Sequence, residues 1–126
     1  MVQAESTIKC EIEHVWDFIT SKDNWQKFWP SGLKDVLPKW VKGGTLFWDT
    51  GEKSSIFDFV EYKHIGFGSD FMRHDLKLES DFNFTFISIA TSPLMGATFN
   101  DGGVLVRKKL NETIFKLKHE LEGDQK

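Results

Sequence analysis

The chain has 126 residues, and its sixteen lysines and arginines against nineteen aspartates and glutamates leave a net charge of −3. That length makes one domain, residues 1–126, and the mildly acidic balance argues against a nucleic-acid partner, which needs a basic stripe to neutralise phosphates. A single cysteine, Cys10, forms no internal disulfide, no apolar run approaches the roughly 20 residues that span a bilayer, and the opening "MVQAESTIKC" is too polar for a signal peptide. The expectation is a cytoplasmic protein without membrane insertion. Aromatic residues reach 14%, with twelve Phe, five Trp and one Tyr, and such rings fill a wide interior with few residues.

In chain order, "AESTIKCE" alternates Ser6, Ile8 and Cys10 against Thr7, Lys9 and Glu11, the period of a strand with one dry face. Ile12, Val15, Trp16 and Ile19 then recur at three- and four-residue steps, which predicts a short amphipathic helix from Ile12 to Thr20. "SKDNWQKFW" reads as a second short helix, with Ser21 as N-cap, Asp23 near the positive helix start, and Pro30 and Gly32 as stops. From Lys34 to Thr91 the pattern turns to short β-rich runs, a meander of five or six antiparallel strands. In the cleanest of them Met72, His74, Leu76 and Leu78 share one face, and Arg73, Asp75, Lys77 and Glu79 the other. "PLMGATFNDGG" is a loop, and Asp101 with its glycines opens a final helix of about eighteen residues. Leu110, Ile114, Leu117 and Leu121 form its apolar stripe, and Gly123 stops it.

A long helix with one apolar stripe needs a surface to lie on. The meander supplies it, giving an α+β fold in which a curved antiparallel sheet of six to seven strands wraps the last helix. The space between helix and sheet must be filled by rings or by a ligand.

The stretch "ESTIKCEIEHVWDFITSKDNWQKFWP", with Val15-Trp16 and the later Trp25 or Trp29, resembles the amino-terminal signature of the START-related, Bet v 1-like superfamily, also called SRPBCC. "WVKGGTLFWDTGE", Trp40 to Glu52, is similar to a strand start of its activator-of-Hsp-ATPase-like branch. The chain departs from the pattern at Ile12, where many members carry Pro, and at "IGFGSD", where many have a tryptophan-containing strand. The resemblance implies a helix-grip fold around a cavity that commonly takes hydrophobic or aromatic small molecules. It implies no single reaction.

Residues able to carry chemistry are few. His14, His64, His74 and His119 lack metal-site spacing, so no metal and no cofactor is expected. His74 shares its face with Met72, Leu76 and Leu78, and is either a hydrogen-bonded core residue or the polar anchor of an apolar pocket. In "SSIFDFVEYKH", alternation groups Asp58 with Ile56 and Val60, and Glu61 with Phe57 and Phe59, so one of the two acids looks inward or sits at the rim. A buried carboxylate there would be a general acid or base, and a rim carboxylate would only face water. "RHD", Arg73 to Asp75, is an ordinary strand segment, because alternation sends Arg73 and Asp75 away from His74. Cys10 reads as core, no serine sits in a nucleophile elbow, and the glycine pairs 43–44 and 102–103 read as turns. Lys108, Lys109, Lys116 and Lys118 alternate with Glu112, Glu120 and Glu122, which reads as a solvated helix face.

The rings remain. Trp16, Trp25, Phe28, Trp29, Trp40 and Trp48 cluster around the two short helices and first strands of the meander. In a helix grip, "DNWQKFWP" would gate the cavity mouth, plug the interior, or stand out as a knob for a partner. The expected function is binding of a small hydrophobic or aromatic ligand through Trp16, Trp25, Phe28, Trp29, Trp48, Phe57, Phe59 and His74, with no catalytic residue. The alternatives are a protein-interaction module that assists a chaperone, with a protein partner, and a small lyase or hydrolase using His74 or an inward carboxylate. A filled interior under an exposed apolar patch would favour the module. A pocket pairing His74 with an acid would favour the enzyme, and an apolar pocket without that pair the binder.

Overall fold

The computed structural model describes residues 1–123. Strand β1 (Val2–Ile8) is followed by helix α1 (Ile12–Ile19) and a 3-10 helix (Lys22–Lys27). Six strands follow: β2 (Leu33–Leu37), β3 (Thr45–Trp48), β4 (Lys53–Val60), β5 (His64–Gly68), β6 (Met72–Asp81) and β7 (Phe84–Pro93). Helix α2 (Val104–Gly123) closes the described chain. The architecture is the expected α+β helix grip, with the strand count at the upper end of the expected range. The first strand sits a few residues earlier than its alternation suggested, and the second short helix has the tighter 3-10 winding.

All seven strands form one antiparallel sheet in the order β1-β7-β6-β5-β4-β3-β2. The meander zips up by local hairpins, and β1 then joins the far edge by pairing Val2 with Thr91 through to Ile8 with Thr85. This non-local pairing fixes the grip, because α2 lies mainly against β1 and partly against β7. Its stripe of Leu110, Ile114, Leu117 and Leu121 is buried, as the heptad-like spacing requires. Asp101 fastens the helix start by accepting hydrogen bonds from the backbone N–H groups of Gly103 and Leu105 at 3.0 and 2.9 Å.

One register shift matters for the site. Between Ile56 and Asp58 the pairing of β4 with β5 slips by a residue, and an extra residue in one strand reverses which face later side chains take. Ile56 is buried and Phe59 packs on the core, three positions apart where strict alternation allows two or four. The alternation expected for "SSIFDFVEYKH" is therefore corrected: Phe57 and Phe59 do not share a face, and Glu61 lies exposed in the turn after β4.

Candidate functional site

The interior is held by a continuous relay of rings. Trp25, from the 3-10 helix, is fully buried, and its indole N–H donates to the Ile19 carbonyl at 2.8 Å, so its polar edge is satisfied in the core. Around it stand Phe28 at 4.9 Å, Trp29 at 5.4 Å, Phe67 at 5.5 Å, Trp48 at 5.8 Å and Trp40 at 5.9 Å between ring centroids. Trp40 passes the contact on to Phe59, and Phe59 to Trp16 at 5.3 Å. At the other end Trp29 and Phe67 each reach the His74 imidazole at 5.2 Å. Most of these contacts are tilted or edge-to-face, the arrangements aromatic quadrupoles favour.

Where the relay ends, a recess of about 150 Å³ remains between sheet and helix. Trp29 and Pro30 form one wall, His74 and Thr91 the sheet side, and Val106 and Leu110 the helix side, with Lys109 and Thr113 completing it. His74 Nδ1 lies 2.9 Å from Thr91 Oγ1, its partner across β6 and β7. Burial pushes the imidazole pKa down to about 4 despite the opposing pull of the Asp75 charge, so the ring is neutral at physiological pH. No protein group hydrogen-bonds its Nε2 among the described residues. A neutral imidazole tied down at one nitrogen presents the other as a single directional polar contact in an apolar setting.

The acids stand on the opposite side of the sheet. Asp58, Gly66 and Asp75 occupy matched positions on β4, β5 and β6, and over Gly66 their side chains meet those of Arg73 and His64. The Arg73 guanidinium donates to Asp75 at 3.0 Å and also bonds Asp58, and Asp75 lies 2.6 Å from His64 Nε2. A Cβ on Gly66 would sit 2.8 Å from both Arg73 Nη2 and Asp75 Oδ1, so only glycine admits this convergence. Burial alone would raise the Asp75 carboxyl, but the bonds from Arg73 and His64 outweigh it and hold the pKa below the ordinary carboxylate value. The Arg73 bond likewise lowers that of Asp58.

Among the eight expected ligand residues, Trp29 and His74 line the recess. Trp25, Phe28 and Trp48 are buried in the ring cluster behind it. Trp16 and Phe59 pack together at the far end of the relay. Phe57 lies under the Arg73 guanidinium, 5.5 Å from its carbon to the ring centroid, in company with the charge network. "RHD" divides as alternation required, with His74 turned inward and Arg73 and Asp75 outward, but the outward pair belongs to a network rather than an ordinary strand face. Periodicity alone did not single out Thr91 and Val106. The signal for Thr91 was its inward parity in "FTFISIATS", shared with Ile87 and Ile89. For the network it was a cross-strand register that no single segment contains. Among the described residues, no carboxylate lines the recess and no group of three His, Cys, Asp or Glu is arranged to hold a metal.

No model of a known protein family matches the chain, and no curated protein matches it in sequence. Solved structures do match. The Aha1 dimer from Colwellia psychrerythraea aligns over 96% of this chain and 95% of its own, with 20% identity and a TM-score of 0.72. CalU16 from Micromonospora echinospora aligns over 97% of this chain and 74% of its own, with 13% identity and a TM-score of 0.76. DynU16, from the dynemicin biosynthetic locus, aligns over 98% of this chain at 12% identity with a TM-score of 0.80, and there the chain spans about half of the other protein, 47%. Such likeness at low identity speaks to architecture alone, and with the single curved sheet closed on α2 it shows that the chain has a helix-grip fold.

Proposed function

We propose that the protein binds a small apolar or aromatic molecule in the recess beside His74. The observation that carries this reading is the composition of the recess: Trp29, Val106 and Leu110 give a mainly apolar wall, the His74–Thr91 pair gives a hydrogen-bonded polar contact, and Lys109 and Thr113 complete the lining. Apolar cavities of about 150 Å³ accept a benzene-sized molecule. Pockets for larger ligands run to roughly 300–1,000 Å³. The ring relay thus limits the ligand to one small ring or a short aliphatic group. Absence of a carboxylate partner for His74 among the lining residues weighs toward binding over lyase or hydrolase chemistry. Composition fits a cytoplasmic setting, and no helix among the described residues is long and apolar enough to cross a membrane.

The test is extraction of the purified protein and mass spectrometry for a copurified small molecule, with Val106→Phe as the comparison. Val106 is only partly buried, so the larger ring fills the recess with little cost to the core. A small apolar compound recovered from the parent and lost from Val106→Phe supports the reading. Equal recovery from both contradicts it.

A further inference from the structure

The outer face of α2 departs from the solvated surface its charges suggested. Val104 is 66% exposed and Phe115 70% exposed, and Leu105 adds a third exposed apolar side chain at the helix start. Val104 and Phe115 are eleven residues apart, three turns or about 16 Å along one side of the helix. The surface between them is open and formed by α2 alone, where Arg107, Lys108 and Lys116 lie exposed together with Asn111 and Glu112. None of those three cations enters a salt bridge among the described residues. Lys118 and Glu122, by contrast, pair with each other at 3.9 Å. Phe115 makes no ring contact among the described residues either, although most other rings of the chain do.

We infer that this face is a docking surface for an acidic, amphipathic helical segment of another protein. Two apolar anchors three turns apart match the spacing at which an amphipathic helix repeats its own apolar positions. These three cations, without a salt bridge among the described residues and with Glu112 as the one acid beside them, call for carboxylates on the partner. Three apolar side chains make too small a face to seat the helix in lipid. The recess opens on the other side of α2, so this surface stands independently of small-molecule binding.

The experiment is fluorescence anisotropy with the full chain and a labelled synthetic helix that has leucines on one face and glutamates beside them. A second peptide replaces the glutamates with glutamines. Saturable binding of the glutamate peptide is expected, weakened about tenfold by Phe115→Ser and by Lys108→Glu with Lys116→Glu. The glutamine peptide should bind distinctly more weakly, and the melting temperatures of the variants should match the parent because these residues are exposed. Equal binding of both peptides, indifference to the variants, or no binding would overturn the inference. So would cosedimentation with phosphatidylserine vesicles that depends on Phe115, or self-association of the parent that Phe115→Ser abolishes, since each would name a different occupant.

Discussion

His74 and Thr91 face each other across β6 and β7, with Nδ1 2.9 Å from Oγ1, and this pair is a hydrogen-bonded polar contact at the wall of a largely apolar recess that Lys109 and Thr113 also line. Thr91 is buried, so the bond is sheltered from water and its loss is not made good by solvent. Thr91→Val keeps the shape and removes the hydroxyl. Urea unfolding should show a loss of about 1–3 kcal/mol, the range for a buried polar group left without its partner. A change near zero would mean that the contact does not organise the imidazole.

The depressed His74 pKa sets a pH dependence with a definite sign. The unfolded chain takes up a proton on this residue near 6.5, whereas the folded chain resists until about 4. The unfolded state thus binds more protons between these values, and stability falls as pH falls across that window. The full effect is roughly 3 kcal/mol, from about 1.36 kcal/mol for each unit of difference. His74→Asn should flatten the decline between about pH 6.5 and about pH 4 in thermal melts. The remaining decline should come at lower pH, as Asp58, Asp75 and Asp101, whose folded pKa values are depressed, lose the stabilisation present above their unfolded values. An unchanged slope in His74→Asn between 6.5 and 4 would contradict the assignment.

Gly66 tests the outer network. A methyl group there would be forced against Arg73 and Asp75, and overpacking of this kind costs roughly 1–3 kcal/mol. Gly66→Ala should therefore destabilise the protein, and the loss should shrink in the background of Asp75→Ala, where the crowding carboxylate is gone. If the two changes instead add without interaction, the convergence over Gly66 is not what the position protects.

Trp25 separates a plug from a gate. Its complete burial and its hydrogen bond to the Ile19 carbonyl make it part of the core, so Trp25→Ala should cost about 3–5 kcal/mol by denaturant unfolding. A gating ring would instead change ligand on- and off-rates while leaving stability nearly intact. Trp29, half-buried and lining the recess, is the member of "DNWQKFWP" from which rate effects are expected.

How far the fold was legible follows from the range of each signal. The stripe of α2 and the alternation of Met72 to Leu78 lie within one segment, and both read correctly because burial of one face dictates the spacing. The bulge after Ile56 escaped, since one extra residue inverts the parity of Asp58 and Phe59 relative to Ile56 and leaves no mark in hydropathy. Hydropathy also marked His74 as inward without revealing Thr91 as its partner, which needs the register of β6 against β7. Trp25 and Trp29 looked alike in sequence. Only packing distinguishes the ring that fills the core from the ring that lines the space left over. Phe115 was hidden within a run of lysines and glutamates, where an exposed ring leaves the charge pattern intact.

The most direct test of small-molecule binding is a titration of the isotope-labelled protein with toluene, followed by amide and methyl NMR shifts. Saturable shifts confined to Thr91, Val106, Leu110 and Thr113, and abolished by Val106→Phe, are the expected result. Shifts that fail to saturate, or that persist unchanged in Val106→Phe, would contradict a binding site beside His74.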